Sequence, residues 1–271
     1  MDIRKFTIEN GDGNTIALAD GVSKIFLNNP TGLGISNSIS SNDYNEKLNV
    51  VSNTQNFNSI GGEMVFFDYV NKDKYHQYNE FVSFLMIKPL KLYYQIPTSP
   101  TKTYTIDIDV LSLDKTEIKN DGLLRCNFTF QTLSRWKGET IKIVGTSNTY
   151  EINNDGHMPI GFEIKLTGNL TNPYFTLSQN GDLYGEGKFE DGVAFSSVYV
   201  NSNDGEQSIE LMQNDTILAN PLSYQDLSIS NGSIYVTFVR LAKGTSNLEI
   251  GMEGGNISNV EITYTPQYRS V

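Results

Sequence analysis

The sequence predicts a mainly β protein of two domains with one substantial helix. Three observations carry that reading. Apolar and polar residues alternate with period two wherever a pattern is legible, as in Lys102 to Val110. Asn-Gly, Asp-Gly and Asn-Asp steps separate those runs and supply the positive φ that tight hairpins need. A single stretch, Lys74 to Ile87, instead repeats its apolar residues at helical spacing. The length of 271 residues suits one large domain or two ordinary ones, and 38% hydrophobic residues can fill packed cores.

Taken in chain order, the first turn cluster is Asn10-Gly11-Asp12-Gly13-Asn14. The helix is expected to open near Asn71 or Asp73, with Tyr75, Tyr78, Val82 and Leu85 on one stripe, Phe81 and Phe84 widening it, and Pro89 ending it. Such a stripe is a core-packing face before it is a ligand box. Strands are expected at Lys102 to Val110, Leu123 to Phe130, Thr140 to Val144, Phe162 to Leu166 and Ser233 to Val239. Turns fall at Asn120-Asp121-Gly122, Asn153-Asn154-Asp155-Gly156, Asn180-Gly181-Asp182, Asn203-Asp204-Gly205 and Asn231-Gly232. A boundary lies between about Thr132 and Asn154, because strands then follow one another at β-sandwich spacing. The domains are therefore drawn at 1–136 and 137–271, with the last strand near 260–271 assignable to either.

Composition excludes several functions. Twenty basic against 31 acidic side chains leave a net charge of −11 and no basic run, which argues against a nucleic-acid grip. The longest apolar stretch, Phe81 to Ile87, is far short of a membrane helix, and Met1 to Asp20 has no apolar signal core, so no membrane or secretory route is expected. The single cysteine, Cys126, sits in an alternating run and reads as a small core hydrophobe. The two histidines, His76 and His157, lie in a helix and after a turn, without a nucleophile, base and orienter arranged around them. Asp107 and Asp109 share a strand face, which a solvated surface explains better than a glycosidase pair. Asp12 and Asp182 lack the closing Glu of a calcium loop, and Asp114, Lys115 and Glu117 can close a local surface ion pair. No enzyme, cofactor or metal is expected.

Several phrases, in order, resemble the distal tail proteins of long-tailed bacteriophages of Gram-positive hosts. They are Phe26-Leu27-Asn28-Asn29-Pro30-Thr31-Gly32-Leu33-Gly34-Ile35, then Ile60-Gly61-Gly62-Glu63-Met64-Val65-Phe66, then Tyr75 to Phe84 with its Tyr-X-X-Tyr-X-X-Phe spacing. Asp114-Lys115-Thr116-Glu117-Ile118, Gly122-Leu123-Leu124 and Phe130 to Trp136 follow, then Gly168-Asn169-Leu170-Thr171-Asn172-Pro173 and the closing Tyr268-Arg269-Ser270-Val271. Each phrase alone is a turn or a strand; their order along nearly the whole chain carries the resemblance.

The resemblance implies a ring-forming belt domain of β-sheets with one helix, followed by a galectin-like antiparallel β-sandwich. It also implies a virion protein, made in the host cytoplasm, whose copies, typically six, close into a ring at the tail tip. The partners implied are the tail tube protein, the tail-associated hub protein and baseplate or receptor-binding proteins. Pro30, Gly32, Leu33, Gly34, Tyr75 and Tyr78 are the interface candidates, and for the Pro30–Gly34 turn the backbone and interface readings stand level. Six copies would carry 6 × (−11) = −66, from which an acidic channel wall is expected to let DNA pass. The alternative function is a carbohydrate-binding module for host wall glycans. Its weakness is that the only tryptophan, Trp136, falls at the domain boundary rather than on the sandwich.

Overall fold

The computed structural model describes residues 4–18, 24–34, 37–44, 47–55, 57–67, 73–96, 101–118, 121–190, 194–213, 216–219, 233–236, 238 and 240–271, with backbone alone over 37–55, 217–219 and 233–235. The chain divides into two compact units, one of Met1–Gly138 with Tyr268–Val271 and one of Glu139–Gln267.

The first unit holds β1 (Lys5–Glu9), β2 (Thr15–Ala17), β3 (Ile25–Thr31), β4 (Asn37–Tyr44), β5 (Lys47–Gln55), β6 (Ser59–Phe66), α1 (Lys74–Leu85), β7 (Leu90–Ile96), β8 (Lys102–Leu113), β9 (Leu124–Thr132) and β10 (Trp136–Lys137). Seven strands pair in the order β2-β1-β7-β8-β9-β6-β3, every neighbour antiparallel, and β10 joins β8 with Lys137 opposite Thr105. Period-two alternation sends Leu90, Leu92 and Tyr94, then Tyr104, Ile106 and Ile108, then Leu124, Cys126, Phe128 and Phe130 to one face, where they form a single buried cluster. Cys126 is wholly buried in it, and burial pushes its thiol up.

Helix α1 closes that face. Asp73 caps it, its side chain accepting from the His76 amide at 2.8 Å, and Asn71 lies outside the described residues. The predicted stripe is the buried one at Tyr78, Phe81 and Leu85, while Tyr75, Val82 and Phe84 are half-buried beside it. Phe66 of β6 receives Tyr78 and Phe81 edge-on, each at 5.8 Å between ring centroids. The helix ends at Leu85, before the predicted Ile87, with Met86 as its cap. Tyr268 meets Tyr104 edge-on at 5.1 Å, so the last four residues pack on this first unit.

The second unit is a sandwich of antiparallel sheets. It comprises β11 (Ile141–Gly145), β12 (Thr149–Asn154), β13 (Phe162–Thr171), β14 (Tyr174–Gln179), β15 (Asp182–Glu190), β16 (Ala194–Asn201), β17 (Ser208–Gln213), β18 (Thr216–Ala219), β19 (Ser233–Val236), β20 (Gly244–Gly251) and β21 (Gly254–Tyr264). The sheet orders are β11-β21-β13-β16-β17-β18 and β12-β20-β14-β15-β19. Phe162, Ile164 and Leu166 of one sheet share a core with Phe175, Leu177, Leu248 and Ile250 of the other. At the predicted Asn180-Gly181 turn both residues take positive φ, 54° and 90°, and the flanking Gln179 and Asp182 pair in register. The strand expected at Ser233 to Val239 is described to Val236, and Asn231-Gly232 lies outside the described residues.

Candidate assembly surface

The turn after β3 is built by backbone geometry. Gly32 has φ +84°, and a Cβ there would lie 1.9 Å from the Ser59 carbonyl oxygen, so only glycine fits without a shift. Asn58 then brackets the turn. Its Nδ2 donates to the Gly34 carbonyl at 2.5 Å, while its own carbonyl accepts from the Thr132 amide at 3.1 Å and hydroxyl at 2.6 Å. Leu33 is half-buried against the core and its carbonyl accepts from the Val271 amide. Pro30 is half-buried, and Gly34 is exposed, with open space to 4 Å where a Cβ would stand.

Past Gly34 the chain leaves for the β4–β5 hairpin and returns at Phe57. Among the described residues these two strands, of 8 and 9 residues, pair with each other and with no other strand. Sequence reasoning misses this hairpin because its run is rich in Asn, Ser, Asp and Thr, with no sustained apolar alternation to read. A two-stranded ribbon is marginal in water by itself, and its outer edges carry backbone groups that seek partners.

The tyrosine candidates have internal work. Tyr78 is buried and its hydroxyl donates to the Leu113 carbonyl at 3.0 Å. Half-buried Tyr75 donates to Glu117 at 2.6 Å and accepts from the Ile118 amide, and the Glu117 carboxylate pushes its hydroxyl up. Lys115 sits 5.4 Å above the Tyr75 ring, so the expected local pairing of Lys115 with Asp114 and Glu117 is replaced by a clasp on the helix. Together the two tyrosines tie the end of β8 and the segment after it to α1.

The remaining chemical candidates are likewise accounted for. Asp107 pairs with Lys137 at 3.2 Å and Asp109 with Lys88, as a solvated strand face requires. His76 meets Glu80 on the exposed side of α1 at 3.2 Å. Asn10 Oδ1 accepts from the Asp12 and Asn14 amides, which makes the Asp12 segment a turn. Trp136 is 4% exposed inside the first unit's core and cannot stack on a sugar. Among the described residues no group of three or more His, Cys, Asp or Glu is placed to hold a metal ion.

Charge divides unevenly between the units. The first holds 15 acidic and 15 basic residues, the second 16 acidic and 5 basic, so the whole net charge of −11 belongs to Glu139–Gln267. The first unit is therefore neutral as a whole. Its sheet carries pairs, Glu9 with Lys91 at 3.7 Å and Arg125 with Glu63 at 3.4 Å and Asp121 at 2.9 Å.

Residues 5–133 match the family described as the distal tail protein, N-terminal domain. Among solved structures the fold is similar to a chain of the phage P2 baseplate in its activated conformation with Ca, at 15% identity over 100% of both chains and a TM-score of 0.56. The same baseplate with Sr gives the same identity and TM-score. The crystal structure of SPP1 Dit (gp 19.1), described as a paradigm of the hub adsorption apparatus in Gram-positive infecting phages, is similar at 11% identity over 96% of this chain and 98% of that one, with a TM-score of 0.66. No curated protein matches the chain in sequence.

Proposed function

We propose, for a chain that belongs through its N-terminal domain to the distal tail proteins and is a structural component of the phage tail tip, that six copies close into a ring joining the tail tube to the hub and baseplate. The first unit forms the ring and the sandwich presents docking surface to tail-associated, baseplate or receptor-binding proteins. The chain acts as a scaffold and not as an enzyme, is made in the host cytoplasm, and serves a phage of a Gram-positive host. DNA passes without being gripped, because the neutral first unit offers compensated ion pairs rather than clustered cations.

One observation carries the ring. Among the described residues the β4–β5 hairpin pairs with no strand of the nine-stranded sheet, and a neighbouring copy is the partner that a head-to-tail ring can supply to its edges. Light scattering on the purified chain tests this. Six times 30.3 kDa gives about 182 kDa, with annular particles in negative stain. A strict monomer at every concentration, with and without tail tube protein, would remove the proposal.

A further inference from the structure

Four cations of the first unit lie in ion pairs: Lys88 with Asp109, Lys91 with Glu9, Lys137 with Asp107, and Arg125 with Glu63 and Asp121. Arg135 differs. Among the described residues its guanidinium meets no carboxylate, and it lies 4.6 Å from the centroid of the Phe57 ring, a side chain left 51% exposed. A guanidinium over an aromatic face keeps its N–H donors for other partners, and such a fork can make two parallel hydrogen bonds to one carboxylate. Arginine and aromatic residues are also the side chains from which interface hot spots are made.

The place of this pair matters. It borders a small cleft of about 20 Å³, whose lining includes Ile106, Trp136 and Tyr268. Gly34 and Phe57, on its rim, are where the chain departs for the β4–β5 hairpin and comes back. Asn58 also lines the cleft, its Nδ2 donating to the Gly34 carbonyl on the rim. A guanidinium beside an exposed ring fits a peptide segment that brings one carboxylate.

Charge decides who brings it. Acids of the first unit's sheet, Glu9, Glu63, Asp107 and Asp109, are engaged by its own cations, whereas the second unit carries 16 acids against 5 bases. We propose that Arg135, stacked on Phe57, receives an Asp or Glu from the Glu139–Gln267 unit of a second copy, making this cleft a charge-anchored contact between neighbours. The inference rests on the ring reading above.

Three forms of the full chain test it: wild type, Arg135→Glu and Arg135→Lys. Arg135→Glu should raise the concentration for half-assembly by roughly thirtyfold or more in sedimentation velocity, while its melting temperature stays within about 2 °C because no intramolecular ion pair is lost. In assembled Arg135→Lys, a zero-length carbodiimide should join the introduced amine to another copy, and mass spectrometry should find the linked carboxylate within residues 139–267. Assembly of Arg135→Glu at wild-type concentrations overturns the inference and leaves the ring standing. A link only to a carboxylate of residues 1–138, or only within one copy, overturns it too. A wild-type chain that never assembles removes the ring reading and the inference together.

Discussion

Gly32 and Gly34 separate the two readings of the turn after β3. At Gly32 an added methyl meets a backbone oxygen at 1.9 Å in a φ of +84°, and at Gly34 it meets nothing within 4 Å. Holding a side chain in left-handed backbone costs about 1–2 kcal/mol, and forcing an extra carbon into packed backbone adds about 1–3 kcal/mol. Gly32→Ala should therefore destabilise the first unit by about 2–5 kcal/mol, a large part of the roughly 5–15 kcal/mol typical of a domain. Gly34→Ala should stay within about 0.5 kcal/mol of wild type, as open surface changes do. Urea unfolding followed by tryptophan fluorescence reads this unit selectively, since Trp136 is the only tryptophan and is buried in the first unit's core. With a slope of about 1–3 kcal/mol per molar urea, a 3 kcal/mol loss moves the midpoint down by about 1–3 M. Equal midpoints for Gly32→Ala and wild type would refute the close-approach argument, and an unfolded Gly34→Ala would show that the open position is under a constraint absent from this geometry.

Other outcomes are expected. Cys126, fully buried with its thiol pushed up by burial, should resist a maleimide at pH 8 in the native chain and react fully in denaturant; rapid native labelling would contradict its place in the core. The Tyr93 hydroxyl is pushed up to about 12 by burial and by its 2.7 Å bond to Glu9. A folded value above the ordinary 10 means that this stabilisation is complete below about pH 10 and is lost as pH rises through about 12. Urea midpoints should therefore fall between pH 10 and 12, less steeply in Tyr93→Phe, and a variant with an unchanged slope would exclude Tyr93 as a source. Asn154 is buried, donates to the Met158 and Leu241 carbonyls at 2.9 and 3.2 Å and accepts from the Gly156 amide at 3.1 Å. Asn154→Ala strands those groups and should cost the sandwich about 2–4 kcal/mol in a thermal melt followed by near-ultraviolet tyrosine dichroism; an unshifted melt would show that the bonds are dispensable.

Much of the fold was legible because its signals are local. Alternation assigned the inward faces of β8 and β9, Asn180-Gly181 marked its hairpin, and the Tyr78, Phe81 and Leu85 spacing marked the helix. The β4–β5 ribbon was not legible, since its Asn-, Ser- and Thr-rich sequence offers no sustained apolar period. Candidate surface residues were named from motifs alone. Tyr78 looked available for contact from its place in a motif, yet a buried ring and a bond to Leu113 occupy it. Arg135 stood in the phrase from Phe130 to Trp136 without a role, because nothing in its neighbours announces that Phe57 will lie beneath it.

By itself the sequence determined the strand-rich character, the helix at Lys74–Leu85 and the total charge, all of which depend on neighbours in the chain or on simple counts. Tertiary structure alone decided which unit owns that charge, which cations find acids, and that the last four residues pack on the first unit. Those outcomes depend on groups brought within a few ångströms from positions tens of residues apart, as Phe57 and Arg135 are. Coulomb attraction and packing act on separation in space, and separation along the chain does not encode it.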